Sequence, residues 1–269
     1  MQTFNGIAMA VALLGATGAA AADAASEWVD LQDAKVRLVA ASHGLDGDGA
    51  ARLGLQIVLA DGWKTYWREP GEAGLPPRVD WSGSENLAEA RSDYPVPHRF
   101  ESFGMTSLGY GDEVVFPIAL RATDAAGAVA ARLAVDFMVC ERICVPMHAE
   151  LALDLSANDN TSSTHAETID RHAARVPGGP SSAGVKIDTV TVADGRLRVE
   201  AMAETPFKAP DLFVEAGGKV GFGAPSVELM EGGRRAVLHL PVSGDVAGER
   251  IVLTLVDGDR VLEQPWTLR

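Results

Sequence analysis

Helical periodicity is almost absent from this chain, and that limits the fold more than any other feature. Apolar residues recur at every second position instead. Leu53, Leu55, Ile57 and Leu59 share one face of residues 51–59, and Leu151, Leu153 and Leu155 share one face of 145–155. Residues 35–41, 113–122 and 130–139 read as further strands. A period of two sends successive side chains to opposite faces of a sheet, so one face is buried and the other is wet. Strands of this kind, separated by turn residues and packed into residues 27–157, predict an antiparallel β-sandwich.

The pattern breaks at residues 158–182. This stretch opens with Asn158-Asp159-Asn160-Thr161 and closes with Pro177-Gly178-Gly179-Pro180-Ser181-Ser182. Between them, residues 166–176 predict one short helix, with Thr164 as its cap and Glu167 three residues later. Strands then resume at 185–192, 196–203, 211–215, 236–241, 250–257 and 261–268, which predicts a second, smaller sandwich over 183–269. The expected class is all-β, two sandwiches joined by a helical connector. The halves are alike in type but show no sequence repeat. Gly217-Gly218 and Gly232-Gly233 read as hairpin turns.

Residues 1–22 read as an export signal. Ile7 to Leu14 is apolar but too short to span a bilayer, and Ala19-Ala20-Ala21-Ala22 offers a cleavage site. No Lys or Arg precedes the apolar stretch. Beyond it no run reaches transmembrane length; the longest, Val114 to Leu120, contains Pro117. The mature chain is therefore expected outside the cytoplasm, where disulfides persist. The net charge of −14 makes nucleic acid and anionic lipid poor partners.

The only two cysteines are Cys140 and Cys144, in Val139-Cys140-Glu141-Arg142-Ile143-Cys144-Val145-Pro146. Cys140 ends one predicted strand and Cys144 begins the next, so a tight turn would bring the pair within bonding range. A loop this small stabilises the fold little through chain entropy. Three uses remain open. The pair could be a structural staple. It could bind copper or zinc together with His148, in a Cys-x3-Cys-x3-His spacing. Or it could exchange with other thiols. Arg142 would lower a neighbouring thiol's pKa and Glu141 would raise it, while Pro146 withholds a backbone donor beside the pair. Trp63, Tyr66, Trp67 and Trp81 read as core. His43, His98, His165, His172 and His239 are scattered. There is no serine–histidine–acid pattern, phosphate loop or nucleotide fingerprint.

Several motifs together resemble the amino-terminal region of the periplasmic disulfide-reductase family DsbD, and more closely its ScsB-type branch, linked to suppression of copper sensitivity. They are Gly62-Trp63-Lys64-Thr65-Tyr66-Trp67, Pro70-Gly71-Glu72-Ala73-Gly74-Leu75-Pro76-Pro77, Trp81, Tyr94-Pro95-Val96-Pro97-His98-Arg99-Phe100, Phe103-Gly104, Gly109-Tyr110 and the stretch Cys140 to Pro146. The resemblance runs from about Trp28 to Leu155.

It implies immunoglobulin-like sandwiches and a thiol:disulfide oxidoreductase of the electron-relay type, needing no cofactor. The cysteine pair would receive electrons from a membrane-embedded donor and pass them to periplasmic thioredoxin-fold acceptors. Cys144 would form the mixed disulfide and Cys140 would resolve it. An aromatic cap would shield the pair: Phe103 is the first candidate, with Phe100 and Tyr110 at the ends of the same stretch. Full-length family members also carry a multi-span membrane domain and a thioredoxin-like domain. Neither is present here, so the donor is expected on a separate chain. The three-residue spacing between the cysteines is shorter than in the best-known branch.

Overall fold

Inward-facing Val129, Ala131, Leu133, Val135, Phe137 and Val139 alternate with more exposed residues along Val129–Cys140. That strand is central to one face of the first sandwich in this computed structural model, which describes residues 23–102, 104–180, 184–217 and 220–268. The expected signal, residues 1–22, lies outside the described residues.

One sheet of the first sandwich runs Val29–Asp30, Ala34–Ala40, Ala50–Leu59, Glu113–Ala122, Leu87–Ser92 in spatial order. The facing sheet runs Cys144–Leu155, Val129–Cys140, Lys64–Gly71, Met105–Gly111, His98–Ser102, with Arg78–Asp80 also pairing with Val129–Cys140. All of these ladders are antiparallel. Their inner faces close one core, in which Leu38, Leu55, Ile57, Phe116, Leu133, Val135 and Trp67 are fully or almost fully buried.

The connector helix spans Ala166–Ala173 and is shorter than the periodicity predicts. His165, not Thr164, occupies the cap position and makes no side-chain cap bond. The Ser163 hydroxyl instead accepts from the His165 amide at 3.0 Å. Ile169 packs among Val39, Ala41 and Val115, which seats the helix on the outer side of the first sandwich.

The second sandwich pairs a sheet of Val185–Ala193, Arg196–Ala203, Arg235–Ser243, Gly221–Phe222 and Ser226–Met230 with a three-stranded sheet of Asp211–Ala216, Arg250–Asp257 and Arg260–Thr267. Its separate core includes Leu197, Val199, Leu212, Leu238, Leu253 and Leu255.

Phe213 breaks this division. It lies on a strand of the second sandwich, yet its ring is buried in the core of the first, 5.8 Å from the Trp67 ring. Two arginines of the first sandwich bracket it. Arg99 forks onto Asp211, with Nε to Oδ2 at 3.1 Å, and donates to the Leu212 carbonyl at 2.7 Å. Arg68 donates to both Glu215 oxygens, at 2.9 and 2.5 Å, and to Glu263. Burial alone would lower the Arg68 pKa, but its hydrogen bonds to these two carboxylates outweigh that and raise it. Planar, always-charged arginine suits such forked pairing better than lysine.

Tyr66, Tyr94 and Tyr110 are all pushed above the ordinary phenol value of 10.0, in each case first by burial. A raised folded pKa means that the native state holds its proton where the unfolded chain has already released it. This contribution to stability is complete below about pH 10 and is lost as pH rises through the folded values. The denaturant midpoint should therefore fall between pH 9 and pH 11, and Tyr110→Phe should flatten the fall. A midpoint that does not move over this interval would contradict the assignment.

Candidate functional site

Cys140 and Cys144 close the tip of the hairpin formed by Val129–Cys140 and Cys144–Leu155. Twelve consecutive register pairs run from Val129 opposite Leu155 to Cys140 opposite Cys144. The two cysteines are joined as a disulfide with Cα atoms 4.2 Å apart. This is close to the roughly 4.5 Å spacing of a non-hydrogen-bonded antiparallel pair, so the ladder itself brings the sulfurs together.

Strict alternation would leave Cys140 exposed, because its neighbour Val139 faces the core. Instead Cys140 is only 3% exposed, whereas Cys144 is exposed. The cover comes from the adjoining strand. Lys64 sits opposite Cys140, and Tyr66, two residues on, shares its face. The Tyr66 hydroxyl donates to Cys140 Sγ at 2.7 Å and lies 3.6 Å from Cys144 Sγ. Burial pushes the Tyr66 phenol up, so it remains a protonated donor at neutral pH.

Residues 71–77 roof the tyrosine. Gly74 has φ +102°, and a Cβ there would fall 2.2–2.3 Å from three Tyr66 ring atoms. Only glycine permits this contact. The roof is tied down where the Glu72 amide donates to the Thr106 carbonyl at 3.0 Å and the Thr106 amide donates to the Glu72 carboxylate at 2.6 Å.

At the hairpin tip Ile143 is 68% exposed, immediately beside the reachable sulfur. Arg142 and Glu141 are also exposed, with their charged groups 3.7 Å apart.

The three cap candidates separate. Tyr110 is opposite Thr65, so both face the core. Its hydroxyl donates to the Pro95 carbonyl at 2.6 Å and its ring meets Phe116 edge-on at 5.3 Å. It is a core residue and does not cover the disulfide. Phe100 is opposite Ser107, two residues along from the His98–Gly109–Tyr66 row, and so shares the outer face with Tyr66 and Lys64. The Lys64 ammonium lies 5.4 Å from the Phe100 ring centre. Phe103 lies outside the described residues.

His148 is not brought to the cysteines. It lies four residues along an extended strand from Cys144, about 13 Å away at the usual strand rise, and its Nδ1 is 2.8 Å from Asp136 Oδ1. Zinc or copper ligands must converge within about 2.0–2.3 Å of one ion, so the Cys140–Cys144–His148 metal alternative fails on geometry. Among the described residues no group of three or more His, Cys, Asp or Glu side chains is placed to hold a metal.

Tyr66, Lys64 and Gly74 were not expected at the site. Tyr66 reads as core, and by burial it is. The available signal was parity: Tyr66 and Lys64 point away from the core that Thr65 and Trp67 enter, and a glycine-rich segment follows to cover them.

The architecture and the site define a class: a tandem β-sandwich protein with a cross-strand cysteine pair at a hairpin tip, one sulfur covered and the other reachable. Residues 35–156 match the family described as thiol:disulfide interchange protein DsbD, N-terminal, and the first sandwich is a domain of that type. Residues 175–269 match a domain family of unknown function.

Among solved structures, the N-terminal periplasmic domain of ScsB from Proteus mirabilis is 23% identical, with a TM-score of 0.73, covering 91% of this chain and 98% of that one. The immunoglobulin-like fold is therefore shared through both sandwiches. The reduced N-terminal domain of DsbD from Neisseria meningitidis is 17% identical over 46% of this chain and 90% of its own, with a TM-score of 0.25. No curated protein matches the chain. Among the described residues no helix is long and apolar enough to cross a membrane.

Proposed function

We propose that this protein is a periplasmic electron relay that works by thiol–disulfide exchange at Cys140 and Cys144. The observation that carries this reading is the asymmetry of the pair: Cys144 is exposed, and Cys140 is buried beneath a hydroxyl donor. A donor thiolate can reach only Cys144. Its attack on Cys144 Sγ forms a mixed disulfide and breaks the Cys140–Cys144 bond, and Cys140 leaves as a thiolate. Tyr66 is placed to donate to that charge, and hydrogen bonds to charged acceptors are the stronger kind. A second donor thiol then releases the reduced dithiol.

In the forward relay the Cys144 thiolate attacks the disulfide of an acceptor. Cys140 resolves the mixed disulfide and regenerates the bridge while the acceptor departs as a dithiol. By analogy with the family, the donor is a membrane-embedded reductase and the acceptors are thioredoxin-fold proteins. Ile143 offers an apolar contact beside the attacking sulfur, and Phe100 and Phe103 are the shielding residues we assign.

Cys140→Ser should trap a stable mixed disulfide through Cys144 that dithiothreitol releases and mass spectrometry identifies. Cys144→Ser, with only the covered sulfur left, should trap little. Trapping by Cys144→Ser alone would reverse the roles, and trapping by neither variant would remove the exchange reading.

A further inference from the structure

We propose that the second sandwich sets the chemistry of the cysteine pair, with Arg68 as the positioning residue that connects them. The proposal rests on the reading of Cys140 and Cys144 as the reacting pair and assigns the second sandwich a task within it.

The argument starts from where backbone pairing stops. Strand Lys64–Gly71 pairs with Val129–Cys140 only at Lys64 and Thr65. On its other side it pairs with Met105–Gly111 from Lys64 to Tyr66, then loses register and regains it only at Gly71. Tyr66 is thus the last residue held by a continuous ladder, and the next four residues are not fixed by strand pairing.

The first two of these, Trp67 and Arg68, make side-chain contacts with the second sandwich. Trp67 packs its ring against Phe213. Arg68 stacks its guanidinium 4.8 Å from the Trp67 ring centre and is gripped by Glu215 and Glu263, which lie on two different strands. The Arg99 fork onto Asp211 and the Leu212 carbonyl holds the same strand of the second sandwich from the other side of Phe213.

The path from this clamp to the sulfur is short. Arg68 is two residues from Tyr66, whose hydroxyl stands 2.7 Å from Cys140 Sγ. A hydrogen bond weakens steeply as its angle and distance degrade. Small displacements of the strand at Arg68 therefore reach the donor that supports the Cys140 thiolate, and releasing the clamp should disfavour the reduced pair.

The test uses the full two-domain protein and Glu215→Gln with Glu263→Gln, which keep the shape of the clamp and remove its charge. Wild type and variant are equilibrated in glutathione buffers and their free thiols are alkylated and counted by mass. We expect the equilibrium to move toward the disulfide by about three- to tenfold, the equivalent of weakening one hydrogen bond. In a Tyr66→Phe background, which already lacks the hydroxyl, the same two substitutions should move it by less than about twofold.

An unchanged equilibrium in the wild-type background, where the Tyr66 hydroxyl is present, overturns the proposal, as does a shift of equal size in both backgrounds. If the double variant lacks the native thermal transition, Glu215→Gln alone is judged by the same two criteria. The glutathione equilibrium needs no partner protein. Failure of the Cys140→Ser trap would therefore count against the exchange reading and leave this coupling measurable.

Discussion

Replacing Gly74 with alanine is expected to drive the Tyr66 ring away from Cys140 and to destabilise the first sandwich by about 2–4 kcal/mol. The new Cβ would fall 2.2–2.3 Å from the Cδ1, Cε1 and Cζ atoms of Tyr66, well inside van der Waals contact, and the backbone there has φ +102°. Neither neighbour can yield easily. The tyrosine is 2% exposed and fills its site, and the roof is fastened to Thr106 by two hydrogen bonds.

Urea unfolding measures the loss of stability, and the rate at which glutathione reduces the disulfide measures the loss of cover over Cys140. In a Tyr66→Ala background the collision disappears, so Gly74→Ala should then cost only the backbone term. Wild-type stability and wild-type reduction kinetics in Gly74→Ala would mean that Tyr66 does not sit beneath this loop.

Phe213→Ala should cost about 3–5 kcal/mol, as expected for emptying a buried aromatic site, and the damage should appear in the sandwich to which Phe213 does not belong. Its ring is 3% exposed within the first core, against Trp67. Amide exchange separates the two sandwiches. Protection in Val129–Cys140 should fall in Phe213→Ala, whereas Phe207→Ala should lower protection in the second sandwich alone, because Phe207 is buried in that core. Unchanged protection of Val129–Cys140 in Phe213→Ala would show that the ring contributes nothing to the first core.

The sequence by itself determined the strands, their inward faces and the place where chemistry is concentrated. Alternation is a local property: Leu53, Leu55, Ile57 and Leu59 can be buried together only as a strand, and all four are buried. Cys140 and Cys144 are close because three residues separate them, so their meeting at a hairpin tip was legible from spacing. The family resemblance rested likewise on contiguous motifs.

What only the tertiary structure decided is which groups surround the sulfurs. Tyr66 is 74 residues from Cys140 along the chain, and its approach depends on strand register and on a roof that has no periodic signature. The same holds for Phe213, whose pattern assigns it to a strand and cannot say that its ring crosses into another core. His148 is the converse case: its spacing invited a metal site, and the extended strand carries it away from Cys144 to Asp136. Periodicity reports which face of an element is buried. Contacts between distant elements are set by the packing of those faces, and no single stretch of sequence encodes that packing.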